Sequence, residues 1–496
     1  MGTACSDEAG VTAVQSHAGT DAGDHSGSTT DTAVTSDPQP AQPSITWTGA
    51  SGGTQQGTIE VPIDYDDPGG GSFTLHLVRH RAQRPSERIG TLLVNPGGPG
   101  APGSELAAAA EQTYDQALLD AFDIVGWDPR GTGSSTPAID CIEDYDTYFS
   151  LDSSPDSPQE QQAIIDAATK FGEACQRKNA AILAHVSTEE SARDMDMIRR
   201  ALGEDKISYF GFSYGSELGT TWASLFPSTV RAMVVDGAAD QTVGYLQQNV
   251  EQAAGFDQAL STFLQKCSAD TSCAFHNGGG AEQAYDSLSE AVDRQPVPSV
   301  PGRPAITQGM LDTAVANAMY SDSLWPTLER ALADLQQGDG AAILDLYDGY
   351  YGRGLDGRYG NETEAYFAIN CLDDPGTKDP QAVFDLQSTL ASAAPRLGPS
   401  WVEELVFCAM WPVPPAPSVA TDAKGAGPIV VVGTTGDPAT PLDGTRATSA
   451  ALEDGHLIVV TAEQHTGYGA NDCVDSAVDH YLVDLTVPPD GLTCDR

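Results

Sequence analysis

The chain has 496 residues, 40% of them hydrophobic, and carries 24 basic against 70 acidic residues, which gives a formal net charge of −46. A chain of this length can bury a large core and has room for two or three domains of ordinary size. So strong a negative charge makes nucleic acid and anionic membrane surfaces poor partners. No apolar run is long enough to predict a transmembrane helix.

Residues 1–44 differ in composition from the rest of the chain. They are rich in Ser, Thr, Asp, Gly, Ala and Pro and contain almost no large apolar side chains. This composition predicts a disordered tether, because it offers too little apolar surface to fold. Small residues precede Cys5 as at the end of a bacterial lipoprotein signal, although no apolar stretch comes before them. Two interpretations stay open: a lipid anchor at Cys5, or an incidental cysteine.

The other eight of the nine cysteines suit an oxidising compartment, because their number is even. None forms a C-x-x-C pair or a metal-ligand cluster with histidine, so we expect disulfides and no metal site. Many connectivities are possible. Pairing each cysteine with its neighbour along the chain predicts Cys141–Cys175, Cys267–Cys273, Cys371–Cys408 and Cys473–Cys494.

From about Ile45 the chain alternates between strand-like and helix-like segments. The first strand-like segments alternate apolar and polar residues, and the later ones are continuous apolar runs. The predicted strands are 58–61, 73–78, 90–94, 122–126, 207–210, 230–235, 428–432 and 457–460. Helical segments lie between most of them, including 187–202, where Ser187 and Glu190 have the spacing of a capping box. This alternation predicts an α/β fold with a largely parallel sheet.

Between about residues 241 and 410 the pattern is mainly helical. We predict helices over 247–266, 281–294, 307–320, 323–337 and 380–394. A helical block between strands of one sheet indicates a cap over the carboxyl edge of that sheet. The predicted organisation is a disordered tether at 1–44, a first core part at 45–240, a helical cap at 241–410 and a second core part at 411–496.

The segment Gly211-Phe-Ser-Tyr-Gly215 is the strongest functional signal in the chain. It follows the predicted strand 207–210 and opens a helical segment over 217–226. A strand, a tight turn with serine, and a helix together define a nucleophile elbow. The glycines allow the tight turn, and the helix N-terminus favours negative charge. Ser213 is therefore the candidate nucleophile, although so short a motif also arises by chance in a glycine-rich chain.

A serine nucleophile needs a histidine base and an acid that orients the histidine. Enzymes with this elbow place the three in the chain order serine, acid, histidine. Of the nine histidines, His465 lies in a glycine-containing loop directly after the last predicted strand. Two aspartates compete for the acid: Asp236 follows strand 230–235, and Asp437 follows strand 428–432. We favour Asp437, which leaves Asp236 a structural role.

Acyl transfer also requires two backbone N–H donors for the oxyanion of the transition state. One should belong to Tyr214, directly after the nucleophile. The other should come from Asn95-Pro-Gly-Gly-Pro-Gly100, the loop after strand 90–94. Glycines there permit a close approach of the backbone to a substrate, and we assign this donor to Gly98.

Six segments are together far more specific for one protein family than any one of them alone, and they are spread over nearly the whole chain after residue 45. They are Glu60–Tyr65, Val94–Gly100, Gly126–Gly133, Ser191–Asp196, Tyr209–Gly215 and Gly436–Pro441. Together they resemble the secreted actinobacterial tripeptidyl aminopeptidases, within the prolyl aminopeptidase branch of the α/β-hydrolases. The resemblance implies an α/β-hydrolase fold and a triad of Ser213, Asp437 and His465. It also implies export from the cell and no metal or organic cofactor.

The resemblance extends to Ala368–Asp373 in the predicted cap. An exopeptidase must recognise a free α-ammonium group, and buried carboxylates are the best acceptors for it. The resemblance suggests Asp373, with Asp374, for this role; if substitution of Asp373 has no effect, Asp374 and Glu364 are the next cap acids to test. The alternative is a solvated acid of the cap.

The predicted function is that of an extracellular or cell-envelope serine exopeptidase. It would release tripeptides or related short peptides from unblocked peptide or protein N-termini through an acyl-enzyme. Two alternatives stay open: a carboxylesterase, lipase or amidase with the same triad, and a non-catalytic binding protein on a hydrolase scaffold. We expect a monomer with no nucleic-acid partner, and membrane contact only through an anchor at Cys5.

Overall fold

The computed structural model describes residues 43–51 and 53–495. Cys5 and all but the last two residues of the predicted tether lie outside this range. The described residues form one ten-stranded sheet in the order β1-β2-β3-β5-β4-β6-β7-β8-β9-β10. The strands are β1 Thr46–Ser51, β2 Thr54–Pro62, β3 Ser72–His80, β4 Gly90–Asn95, β5 Phe122–Trp127, β6 Ile207–Phe212, β7 Val230–Asp236, β8 Ile429–Thr434, β9 Gly455–Val460 and β10 Leu492–Cys494.

The sheet is mostly parallel. β1, β2, β3 and β5 pair in antiparallel fashion at one end, and all pairs from β5 through β4 to β10 are parallel. Every residue of β4, β5 and β8 is buried, as expected for parallel strands with both faces covered. The predicted α/β-hydrolase fold with a mostly parallel sheet is confirmed.

Seven helices precede β7 in the described residues, and the nucleophile motif lies at the start of the last one. Their bounds are α1 Gly103–Ala108, α2 Ala110–Thr113, α3 Gln116–Ala121, α4 Asp146–Phe149, α5 Pro158–Asn179, α6 Thr188–Leu202 and α7 Tyr214–Leu225. The second-longest of them, α6, begins where the sequence predicts. Ser187 Oγ accepts a hydrogen bond from Glu190 N at 3.3 Å. The reciprocal bond of the predicted capping box is not formed: the Glu190 carboxylate accepts from Ser187 Oγ at 3.4 Å rather than from Ser187 N, and it also contacts Arg130 and His185.

Between β7 and β8, a stretch that the structure describes throughout, the chain forms nine α-helices. These are α8 Tyr245–Ala269, α9 Ala281–Arg294, α10 Gln308–Met319, α11 Trp325–Gln336, α12 Ala341–Tyr350, α13 Glu362–Asp373, α14 Pro380–Asp385, α15 Gln387–Ala393 and α16 Val402–Ala409. The helix predicted over 380–394 is divided in two at Leu386. We call this stretch the helical insertion; the boundaries predicted for a cap, 241 and 410, stay a prediction.

The core lies on both faces of the sheet, because neighbouring residues of a strand point to opposite sides. Tyr209, Met233 and Val235 belong to the cluster on the side of α6 and α7. Phe210 and Val234 belong to the opposite cluster, which includes the last helix. The two helices after β8 are α17 Leu442–Ala451 and α18 Asp472–Asp484. No helix among the described residues is both long and apolar enough to cross a membrane.

All four predicted disulfides are formed: Cys141–Cys175, Cys267–Cys273, Cys371–Cys408 and Cys473–Cys494. The bond between Cys371 and Cys408 joins α13 to α16 within the helical insertion. These two helices carry acidic residues that are described below, so their relative position is covalently fixed.

Candidate active site

The predicted catalytic residues lie at the carboxyl ends of parallel strands. Ser213 follows β6, Asp437 comes three residues after β8, and His465 lies in the loop after β9. Parallel strands deliver these segments to the same edge of the sheet, which is the usual ligand-binding edge of an α/β fold. Ser213 and His465 line one cavity there, together with Gly98 from the loop after β4.

Ser213 stands on a strained turn between β6 and α7. Its φ of 55° and ψ of −127° are values that residues other than glycine rarely adopt. The turn is held by a 2.8 Å hydrogen bond from Ser213 N to Asp236 O. A Cβ at Gly211 would lie 2.3 Å from Gly215 O, and one at Gly215 would lie 2.8 Å from Asn95 O. Both glycines of the motif are therefore required by the close packing of the backbone.

His465 is held by Asp437. The distances from His465 Nδ1 to the two carboxylate oxygens of Asp437 are 2.8 and 3.0 Å, and Asp437 is buried. Burial lowers the pKa of His465, but the adjacent Asp437 carboxylate outweighs this, so the pKa is raised overall. Among the described residues, the buried Nε2 of His465 has no hydrogen-bond partner. Nε2 is thus the ring nitrogen left to take a proton from Ser213.

Asp236, the competing acid, holds the backbone of the residues that follow His465. It is fully buried, and its two carboxylate oxygens accept hydrogen bonds from Gly467 N and Tyr468 N, each at 2.8 Å. Burial raises the pKa of Asp236 to about 7, against the effect of those two N–H groups. The geometry therefore puts Asp437 beside the imidazole and leaves Asp236 to fix the backbone after it.

The two predicted oxyanion donors lie on either side of Ser213. Tyr214 is the first residue of α7, so its N–H has no partner within the helix. The glycine loop packs directly against it: a Cβ at Gly97 would lie 3.0 Å from Tyr214 N and 2.8 Å from Ser213 Cβ. Gly98, the next residue, has a φ of 108° and lines the cavity. The structure thus brings Gly98 and Tyr214 together at the nucleophile.

The cavity in front of Ser213, which we call the acidic pocket, has a volume of about 410 Å³. Four carboxylates from the helical insertion line it, and no lysine or arginine does. Much of the remaining wall is aromatic. The acids are Asp312, Glu362, Glu403 and Glu404, and the aromatic residues are Phe149, Phe256, Tyr320, Tyr350, Tyr351, Tyr366, Phe367 and Trp401.

The acids of this pocket are poorly solvated. Burial raises the pKa of Glu403 to about 8, with smaller contributions from Asp152 and Glu404, and its buried Oε1 has no hydrogen-bond partner. Burial also raises the pKa of Asp312 to about 7. Glu404 accepts hydrogen bonds from Tyr245 and Tyr366 at 2.6 and 2.5 Å. Such a site favours a cation, which would stabilise the ionised carboxylates.

The four acids fall into two pairs. Glu404 also lines a second cavity at Ser213, and a Cβ at Gly100 in the glycine loop would lie 2.5 Å from Glu362 O. We call Glu362 and Glu404 the near acids. Asp312 and Glu403 do not line that second cavity, and Asp312 accepts from Ser400 and Gln308. We call Asp312 and Glu403 the remote acids.

The structure does not bring the predicted amine anchors Asp373 and Asp374 to either cavity at Ser213. Asp373, the last residue of α13, accepts from Thr188 N at 3.0 Å and Thr188 Oγ1 at 2.6 Å at the start of α6. Burial raises its pKa to about 8. Asp374 is exposed and accepts from Tyr245 N. In the structure these carboxylates accept hydrogen bonds from backbone N–H groups and a hydroxyl, and their role as the amine anchor stays a prediction.

Glu364, the further candidate, is also engaged elsewhere. It is 2% exposed and accepts from Cys141 N and Ile142 N at 2.8 and 3.0 Å. Sequence reasoning missed Glu403 and Glu404. The signal was present in Trp401-Val-Glu-Glu-Leu-Val-Phe407, where two adjacent acids interrupt an otherwise apolar run.

A serine on a nucleophile elbow, a paired histidine and aspartate, and a glycine loop at the carboxyl edge of the sheet define a serine hydrolase with the α/β-hydrolase fold. Residues 90–277 match the family described as alpha/beta hydrolase fold, and residues 394–494 match the family described as TAP-like protein. The chain belongs to the tripeptidyl-aminopeptidase-like α/β-hydrolases, as the comparisons with individual proteins also show.

Three relatives are similar over most of their length. Serine protease Hip1 of Mycobacterium tuberculosis is 36% identical over 89% of this chain and 88% of its own. Carboxylesterase B of the same species is 39% identical over 88% of this chain and 85% of its own. Tripeptidyl aminopeptidase of Streptomyces lividans is 31% identical over 89% and 83%. The chain is therefore a hydrolase of the serine-peptidase type.

Proposed function

We propose that this protein is a serine exopeptidase that releases short peptides, tripeptides or related lengths, from unblocked N-termini. One observation carries the proposal: four carboxylates line the cavity in front of Ser213, and no lysine or arginine of the described residues does. A substrate with a free α-ammonium group supplies the positive charge that such a cavity lacks. A neutral acyl group does not.

The geometry supports a two-step acyl transfer. Ser213 Oγ attacks the scissile carbonyl carbon while His465 Nε2 takes the hydroxyl proton. Asp437 holds the ring by Nδ1 and stabilises the imidazolium. The N–H groups of Gly98 and Tyr214 receive the oxyanion. His465 then protonates the leaving amine, and water hydrolyses the acyl-enzyme by the same sequence of proton transfers.

The remote acids are the proposed α-ammonium anchor. Glu403 has a buried oxygen without a partner, so an ammonium group would satisfy it and remove the cost of burying it unpaired. The near acids are less available, because Glu404 already accepts from two tyrosine hydroxyls. A cavity of about 410 Å³ in front of Ser213 suits a short peptide as the acyl group better than a single residue.

A carboxylesterase is the second candidate, favoured by the 39% identity to carboxylesterase B. The two functions differ in whether the acyl group carries a charge. We would compare kcat/KM for a tripeptide p-nitroanilide with a free N-terminus, its N-acetylated form and p-nitrophenyl acetate, with Ser213→Ala as the inactive control. The proposal expects a large preference for the free peptide over its acetylated form. Equal rates on both, with faster ester hydrolysis, would favour the esterase.

An extracellular or cell-envelope location fits this function. Four disulfides and a tripeptidyl aminopeptidase relative are consistent with an extracellular protein. A lipid anchor at Cys5 and a monomeric state remain proposals. Labelling of wild type and Cys5→Ser with radioactive palmitate tests the anchor, and light scattering tests the monomer.

A further inference from the structure

Ser213 also lines a second, smaller cavity of about 100 Å³, which we call the amide pocket. It lies between α7, α8 and the loops after β4, β7 and β8. Gly98, Ser213 and Glu404 line both cavities, so a bound chain can pass from one to the other across the nucleophile. Five side-chain amides line the amide pocket: Gln241, Gln248, Asn249, Gln252 and Asn370.

Two of these amides each have a buried polar atom without a hydrogen-bond partner among the described residues. Asn249 is 3% exposed, and its Nδ2 donates to Tyr245 O at 2.9 Å. This bond fixes the amide, and the buried Oδ1 is left without a hydrogen-bond partner. Gln241 Oε1 lies 2.8 Å from Thr220 Oγ1, and its buried Nε2 is likewise unpartnered. Buried polar groups are nearly always hydrogen-bonded, so both atoms are free to bind a partner that enters the pocket.

One acceptor and one donor in the same small cavity match a peptide group, which offers an N–H and a C=O. We infer that the amide pocket binds the backbone of the leaving chain, the residues on the carboxyl side of the scissile bond. This inference rests on the proposed function, because it assigns the acyl part of the substrate to the acidic pocket. Asn249 would accept from a backbone N–H, and Gln241 would donate to a backbone C=O.

Size and charge place the leaving chain here rather than the acyl group. The acidic pocket has about four times the volume of the amide pocket, 410 against 100 Å³, and a short peptide with its ammonium group needs the larger space. Glu217, Asp240 and Glu251 also line the amide pocket, and no basic residue does. A free carboxylate close to the scissile bond is therefore repelled, so leaving chains that are long or amidated are preferred.

Acyl transfer to added amines tests the amide pocket independently of the natural acyl group. p-Nitrophenyl acetate acylates Ser213 Oγ and releases p-nitrophenol. An added amine then attacks the acetyl carbon, so a C–N bond forms and the bond to Ser213 Oγ breaks. The amine proton passes through His465 Nε2 to that oxygen. The readout is the ratio of N-acetyl product to acetate, measured by mass spectrometry with Gly-Ala-amide, Gly-Ala or ethylamine as the acceptor.

In the wild type we expect the ratio of N-acetyl product to acetate to reach a plateau as the concentration of Gly-Ala-amide rises. The ratio should be at least tenfold lower with Gly-Ala, which has a free carboxylate, and with ethylamine, which has no amide. Asn249→Leu should lower the ratio for Gly-Ala-amide about tenfold and leave that for ethylamine unchanged. Gln241→Met, a second variant, should act in the same direction. Gln258 is exposed and lies on α8, the helix that carries Asn249. Gln258→Met is therefore the matched control and should leave every ratio unchanged.

Two results would overturn the inference. One is the same ratio for Gly-Ala-amide in wild type, Asn249→Leu and Gln241→Met. The other is an equal loss of kcat/KM in Asn249→Leu and Gln241→Met on two tripeptide substrates, one with a p-nitroanilide and one with a peptide as the leaving group. Such a loss would place the acyl part of the substrate in the amide pocket. Failure of the proposed function would look different: no cleavage of free peptides, with transfer from p-nitrophenyl acetate still sensitive to Asn249.

Discussion

Replacing Glu403 by glutamine tests the proposed ammonium anchor, because it keeps the shape of the side chain and removes its charge. Glu403 lines the acidic pocket, and its Oε1 has no partner among the described residues. Loss of one partner of a desolvated charge pair costs about 2–5 kcal/mol. The change should therefore weaken catalysis on free N-termini and spare substrates without an ammonium group.

The expected size of the effect follows from the pKa of Glu403, about 8. At pH 7 the carboxyl must first lose a proton, which costs about 1.4 kcal/mol for one pKa unit. Subtracting this cost leaves a net loss in Glu403→Gln of about 0.6–3.6 kcal/mol, or roughly 3- to 400-fold in kcat/KM. Between pH 6 and 7, below the range of about 7.7–8.0 in which the substrate's own α-ammonium group loses its proton, the wild-type preference for free over acetylated peptide should rise as Glu403 ionises. In the variant this rise should be absent.

The assay is kcat/KM for a tripeptide p-nitroanilide and for its N-acetyl form, measured from pH 6 to 7. The ratio of the two values cancels the titration of His465, which affects both substrates. Glu290→Gln, an exposed acid of the helical insertion, is the matched control and should leave the ratio unchanged. An equal loss on both substrates in Glu403→Gln would refute the anchor and leave Glu403 a structural role.

Three further predictions concern the triad, the disulfides and stability. Asp437→Asn should lower kcat by orders of magnitude in a folded protein, whereas Asp236→Asn should mainly lower the melting temperature; the reverse pattern would show that the acid is misassigned. Alkylation with and without reduction under denaturing conditions should give a mass difference of eight modified thiols, and fewer would contradict the disulfide pattern. Burial raises the pKa of Glu364 from 4.5 to about 7, so in this window the folded state keeps a proton that the unfolded state has lost. The free energy of unfolding should therefore fall as pH rises from 5 to 7. Glu364→Gln should reduce the slope by up to about 1.4 kcal/mol per pH unit in urea titrations, and an unchanged slope would count against this account.

The strands and the nucleophile were predictable because their signals are local. Strands such as β4 and β8 are mostly apolar and buried throughout, and Gly211 of the G-x-S-x-G motif is required by a contact with Gly215 O, four residues away. Helix α5 was missed although its buried residues, among them Ile164, Ala168, Phe171 and Cys175, follow helical spacing. Here the signal was present and was not used.

The position of the amine anchor could not be derived from sequence. Asp373 and Glu403 are both acids of the helical insertion, and both have pKa values raised by burial. Their surroundings differ. Asp373 accepts a hydrogen bond from Thr188, which is 185 positions away along the chain, whereas Glu403 lines a cavity. The apolar run around Glu403 marks this acid as unusual, but only tertiary packing shows whether such a residue faces a cavity or a backbone N–H group.

The hydrogen bonds between Asp373, Thr188 and Tyr214 limit how freely this enzyme could exchange its insertion. Asp373 ends α13, Thr188 begins α6, and Thr188 Oγ1 lies 2.5 Å from the hydroxyl of Tyr214, the residue that follows the nucleophile. The insertion is thus not a detachable module that only shapes a pocket. A chimaera with another insertion on the same sheet would have to supply a carboxylate at this position, or it would leave Tyr214 without its support.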